Sequence, residues 1–219
     1  TEELVNLARH KTVFLFEAIT TQYLENYAKI RELLPRIGTV KLVQCNFSQY
    51  SSRYDAFCAG DVQPAFDPAC AGGALMDLGV YNVSYIVGLF GEPNQAKYTA
   101  NMERGIDTSG ILILEYPNFV CQCTAAKDSS AHNSAQIIGT EGSILIEPGS
   151  NNCQKLVVTR KGKEPYISEI SDTPWWFEVL GISNFLIVPQ DAVKERRIRA
   201  MRSAVAVLEA ARKDAHLDF

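Results

Sequence analysis

Between residues 96 and 170 the sequence breaks into short runs with turns between them, and this pattern limits the fold more than any other feature. Runs at 96–102, 109–115, 119–127, 135–139, 143–147, 155–159 and 166–170 are rich in β-branched or alternating side chains. Tyr116-Pro117-Asn118, Thr140-Glu141-Gly142 and Lys161-Gly162-Lys163 interrupt them. Short strands joined by tight turns predict an antiparallel meander rather than further βαβ units. Helical patterns surround the strands, at 22–34, 73–90, 175–188 and 191–215. In the last of these, Ile198, Met201, Val205, Leu208 and Ala211 form one apolar stripe.

The first 36 residues read differently. Residues 2–10 have helical spacing, with acids at the start and Arg9, His10 and Lys11 at the end. Val13-Phe14-Leu15-Phe16 is a nearly continuous apolar run, which suits a strand buried on both faces. Helix, buried strand and helix make an α/β pattern with no lead-in, like the tail of a doubly wound domain. From residue 38 the pattern changes. A strand is expected near 40–47, then a long polar and aromatic loop over 48–71, whose aromatics argue against disorder.

Composition removes several function classes. The chain carries a formal charge of -4 and lacks a basic stripe, which argues against nucleic acid. The densest basic cluster, from Lys194 to Arg199, contains Glu195 and reads as a solvated helix face. No apolar run looks long enough to span a membrane. The six cysteines follow no secretory signal, so reduced thiols in a cytoplasmic protein are expected. Cys121 and Cys123 are read as facing opposite sides of a strand. The three histidines are scattered, so no metal site is expected.

One stretch carries chemistry: Gly72-Gly73-Ala74-Leu75-Met76-Asp77-Leu78-Gly79-Val80-Tyr81. The glycines read as a loop that lets a helix start abruptly. Asp77 and Tyr81, four apart, fall on one helix face. They could handle protons at a pocket, or be an early-turn acid and a half-buried aromatic. Thr20, Thr21 and Gln22 follow the apolar run at 13–16, where such sheets bind ligands; a helix cap is the other reading of the threonines. Arg53 and Tyr54 in the long loop are candidates for shaping a substrate site, or for a surface salt bridge.

Together with Phe16-Glu17-Ala18-Ile19, Gly91-Glu92-Pro93, Ile138-Gly139-Thr140-Glu141-Gly142-Ser143-Ile144 and the Leu208–Lys213 segment, the glycine-rich stretch resembles the C-terminal part of the Gfo/Idh/MocA oxidoreductases. The resemblance implies a fold class of α+β. A mostly antiparallel open sheet with helices on one face (37–219) would follow the last α/β pieces of a truncated Rossmann domain (1–36). It implies hydride transfer with NAD or NADP on a sugar, polyol or diol, with Tyr81 as proton donor or acceptor and Asp77 contacting substrate. The tyrosine matches the branch resembling dimeric dihydrodiol and xylose dehydrogenases.

In that family Thr20, Thr21 and Gln22 would lie beside the nicotinamide, and relatives often carry arginine where Gln22 stands. The G-x-G-x-x-G fingerprint and the Glu-Lys-Pro segment with its catalytic lysine have no match here. A fragment that is inactive alone is therefore expected. The open sheet face suggests a homodimer or higher assembly. The rival reading is a non-catalytic ligand-binding or self-association domain.

Overall fold

The computed structural model describes residues 1–170, 174–187 and 191–217. Its centre is one eight-stranded sheet: β1 Val40–Ser48, β2 Gln95–Glu103, β3 Ile106–Glu115, β4 Val120–Ala126, β5 Ser134–Gly139, β6 Gly142–Glu147, β7 Lys155–Arg160 and β8 Lys163–Glu169. All seven strand runs expected between 96 and 170 are present. They do not form a plain meander, because the spatial order is β2-β3-β4-β1-β5-β6-β7-β8. β1 lies between β4 and β5 and runs parallel to β4, from Leu42 opposite Val120 to Ser48 opposite Ala126. The other pairings are antiparallel. Turn chemistry reports only neighbours joined by tight turns, so it could not reveal a strand arriving from earlier in the chain.

Helices cover one face. α1 is Glu2–Lys11, α2 Glu25–Leu33, α3 Tyr54–Ala59, α4 Val80–Phe90, α5 Pro174–Ile187 and α6 Asp191–Asp214. The last residue expected in the 175–188 helix, Val188, falls outside the described residues. The main core joins Leu112, Leu114, Val43, Ile137 and Ile144 of the sheet to Tyr27 and Ile30 of α2, Val83 and Ile86 of α4, and Val207 and Leu208 of α6. The other sheet face is polar and open, with Asn46, Thr99, Asn101, Ser109 and Thr124 around a groove. This division follows the strand period of two. The same period corrects the cysteine reading: residues two apart share a face, and Cys121 and Cys123 are both buried on the helix side with Cys45. All six cysteines are free.

Four further expectations change. Val13–Phe16 forms no strand and pairs with no ladder among the described residues. Phe14 and Phe16 pack edge-on against Phe185, while Val13 is 55% exposed. Apolarity marks a need for burial, whereas a strand also needs a paired neighbour. The helix expected at 22–34 is shorter, starting at Glu25 after a 3₁₀ turn over Thr20–Tyr23. The long loop is not structureless. It contains α3 and 3₁₀ turns at Pro64–Phe66 and Pro68–Cys70, and Phe57, Phe66 and Ile106 close a second small core beneath it. Finally, residues 68–90 contain an 18-residue window apolar enough to match a membrane span, but 56% of that window is buried inside the protein, as in the core helix of a folded domain.

Candidate functional site

The site is built on an abrupt helix start. Gly73 has φ +98, in the left-handed region, and a Cβ there would sit 1.9 Å from Asp107 Oδ1. Only glycine relieves both constraints. Asp107, wholly buried on β3, accepts the Leu75 N–H at 2.7 Å and the Tyr98 hydroxyl at 2.8 Å. It thus satisfies an amide that a helix start leaves without a partner. Burial pushes the Asp107 carboxyl above its ordinary value of 3.8, against the opposing effect of those bonds and of Lys127.

The helix does not begin as a regular α-helix. Leu75–Gly79 is a π-turn, and α4 follows from Val80. Asp77 lies on the π-turn and Tyr81 on the first turn of α4. Such wide turns recur at functional sites because they shift the side chains around them.

Asp77 and Tyr81 have different surroundings. The Asp77 carboxylate is 49% exposed, and Oδ2 pairs with Lys127 Nζ at 2.7 Å. Lys127 is 2% exposed. Its ammonium also donates to the Ala65 carbonyl and stands 4.3 Å from the centre of the Phe66 ring. Tyr81 is half-buried, with its ring edge-on to Phe47 at 5.6 Å. Burial raises its pKa above 10, and the charges of Asp77 and Glu178 raise it further. No side-chain hydrogen bond contributes to that shift. At neutral pH the phenol therefore carries its proton.

Behind Tyr81, Asn82 fixes the helix in place. Its Nδ2 donates to the Thr124 carbonyl at 3.0 Å, and its Oδ1 accepts from Ser150 Oγ at 2.6 Å. The Ser150 carbonyl accepts the Thr21 hydroxyl at 2.9 Å, and the Thr20 hydroxyl donates to Asn151 O at 3.3 Å. Neither threonine caps a helix. Both tie the 20–23 turn to the loop after β6, and so to the residue beside Tyr81. Gln22 differs, since its Nε2 is buried without a partner, as is Glu17 Oε2.

The loop candidates separate. Tyr54 donates to Glu103 Oε1 at 2.7 Å, and its ring packs on Phe57 and Phe66 in the small core. Arg53 is exposed at the start of α3. A small cavity of about 10 Å³ lies between residues 14–17, Phe185 and Arg197, and neither Asp77 nor Tyr81 lines it. Among the described residues no group of three His, Cys, Asp or Glu could hold a metal.

Sequence reading missed Lys127, Asp107, Glu178 and Asn82. Lys127 left the one faint trace, a lysine directly after Ala125-Ala126 at the end of an apolar strand. The others gave no signal, because their roles come from contacts between distant segments.

A family model for the GFO/IDH/MocA C-terminal domain matches residues 27–145. The chain belongs to the GFO/IDH/MocA family. It is 39% identical over 148 residues to a Bacillus subtilis scyllo-inositol 2-dehydrogenase (NADP(+)), covering 67% of this chain and 45% of that enzyme. It is 30% identical over 153 residues to a trans-1,2-dihydrobenzene-1,2-diol dehydrogenase from Danio rerio, covering 66% of this chain and 43% of that one. The chain thus spans less than half the length of these relatives. The fold matches KijD10, a 3-ketoreductase from Actinomadura kijaniata solved with NADP and TDP-benzene, at a TM-score of 0.78 and 16% identity. That match covers 97% of this chain and 66% of the ketoreductase. The matched residues include the glycine-rich helix start at Gly72–Gly73 and the polar pair at Asp77 and Tyr81.

Proposed function

We propose that this chain supplies the substrate-side part of an NAD(P)-dependent oxidoreductase acting on a sugar, polyol or diol. Tyr81 is the proton donor or acceptor, and Asp77 receives a substrate hydroxyl. The observation that carries the reading is the Tyr81 phenol: half-buried, protonated at neutral pH, and set one turn after a half-exposed carboxylate. In carbonyl reduction the phenol gives its proton to the developing alkoxide. In the reverse direction the phenolate takes the hydroxyl proton. Asp77 and Glu178 oppose that phenolate, so oxidation needs a cation near Tyr81. The names of the inositol and dihydrodiol dehydrogenases support the substrate class.

The residues present do not make a dinucleotide site. The Thr20 and Thr21 hydroxyls are committed to backbone carbonyls, and of these three residues Gln22 alone has a buried side-chain atom without a partner. No step above runs through the cofactor. Gln22 is the residue we assign to the cofactor side, and we read residues 1–36 as the end of a cofactor domain. This chain alone is expected to turn nothing over. Arg53, exposed beside the small core, is assigned to the rim of the substrate site.

We assign self-association to the open sheet face around Thr99, Asn101 and Ile111, where the helices leave the strands uncovered. The test of the catalytic reading is Tyr81→Phe in the full-length gene product. Turnover should fall at least about a hundredfold, the usual weight of an acid or base, with cofactor affinity held. Unchanged turnover overturns the assignment.

A further inference from the structure

Lys127 has a place that the proposed chemistry does not use. A lysine at 2% exposure is rare unless paired. Here three groups receive its ammonium: Asp77 Oδ2, the Ala65 carbonyl and the face of Phe66. Two of these belong to the 48–71 segment, whose small core of Phe57, Phe66 and Ile106 holds them in place. Backbone bonds hold the lysine from the other side: its N–H donates to Thr108 O at 2.8 Å, and its carbonyl accepts from Ser51 N at 2.8 Å. The ammonium is therefore aimed by β4, by the loop core and by the π-turn together. Its partner on the π-turn is the carboxylate that the proposed function gives to the substrate.

We propose that Lys127 is a positioning residue that pins Asp77 by one oxygen, leaves the other open to a substrate hydroxyl, and offsets the carboxylate's charge next to Tyr81. The inference rests on the reading of Tyr81 and Asp77 above. A carboxylate half in water has freedom to rotate. Fixing one oxygen leaves the second as a directed acceptor at no further cost in side-chain freedom. The charged groups acting on Tyr81 are Asp77 on the π-turn and Glu178 on α5, both raising its proton affinity. Those around Lys127 are Asp77 and Asp107. Lys127 is paired with Asp77, and Asp77 is the charge beside the phenol, so its route to Tyr81 runs through that carboxylate.

The chemistry also explains why a lysine suits this slot. A compact ammonium with three donors matches a carboxylate oxygen, a carbonyl and a ring face in three directions, which a planar guanidinium does not. When the lysine is removed Asp77 remains half-solvated, and the buried Asp107 keeps the Leu75 amide and the Tyr98 hydroxyl as donors, so the fold should survive.

The experiment uses the full-length gene product and compares Lys127→Met, Asp77→Asn, the double variant and Tyr81→Phe. Polyol oxidation is followed against pH, with circular dichroism as the folding check. Lys127→Met should raise the substrate KM about tenfold or more, the scale of a misplaced binding group, and move the rising limb of the oxidation profile to higher pH. In the Asp77→Asn background the same lysine change should add neither effect, because its route runs through Asp77. Equal effects of Lys127→Met with and without Asp77, or an unmoved KM and pH limb in a folded variant, overturn the inference. Tyr81→Phe separates the two readings: if it keeps turnover, the proposed function fails, whatever the lysine variants do. If it loses turnover while Lys127→Met behaves as wild type, only the inference fails.

Discussion

Asp107 on β3 accepts the amide proton of Leu75 at 2.7 Å, so a strand caps the helix start that carries Asp77. This carboxylate ties the sheet to the start of the candidate site, as Asn82 ties it further along through the Thr124 carbonyl. Gly73 yields the space that carboxylate occupies.

Gly73→Ala should therefore be costly. The left-handed backbone and the clash with Asp107 combine to about 2 kcal/mol or more. Urea unfolding should show a lower midpoint with an unchanged slope. An alanine variant within 0.5 kcal/mol of wild type, the usual range of neutral surface changes, counts against this cap geometry.

Asp107 also makes stability depend on pH. Its folded pKa is raised above 3.8, chiefly by burial. Its contribution is complete below about pH 3.8 and fades as pH rises through the folded value. Asp107→Asn cannot titrate. The stability difference, variant minus wild type, should thus shift in the variant's favour between pH 4 and neutrality. Urea titrations at both ends of that window check the sign.

Thr21→Val removes a fully buried hydroxyl and leaves the Ser150 carbonyl short of a donor. The expected loss is about 1–3 kcal/mol. Thr20→Val, whose bond is longer and half-exposed, should cost less. Cofactor affinity should follow neither change, since both hydroxyls are already committed inside the protein; a dissociation constant measured by fluorescence titration tests this.

Cys58 and Cys70 are exposed and the other four thiols are buried. Burial pushes the Cys121 and Cys153 thiols well up, away from the reactive thiolate. Iodoacetamide at neutral pH should label Cys58 and Cys70 first, with the remaining four reacting only after unfolding, as read by peptide mass spectrometry.

Much of the fold was legible where a signal is local. Alternation and turn residues located β2 to β8, and the stripe from Ile198 to Ala211 located α6, because those patterns repeat along the chain. Val13–Phe16 misled for the opposite reason: whether an apolar run forms a ladder depends on a neighbour that the run does not encode. The position of β1 between β4 and β5 is likewise a long-range property. At the site, spacing picked out Asp77 and Tyr81, but not the wide π-turn between them. Lys127 and Asp107 were beyond reach because their partners lie far away in sequence, and the bond from the Tyr54 hydroxyl to Glu103 is a long-range contact of the same kind.

The parallel pairing of β1 with β4 sets an order of events during folding. Residues 40–48 emerge first, yet their two neighbours in the sheet begin only at Val120 and Ser134. The middle of the sheet must therefore wait for a closure of more than seventy residues, whose entropy is lost before any ladder bond forms. Until then the β1 segment has two unsatisfied edges, and a chaperone that shields residues 40–48 should raise the yield of native protein more than one that shields the late hairpin of β7 and β8.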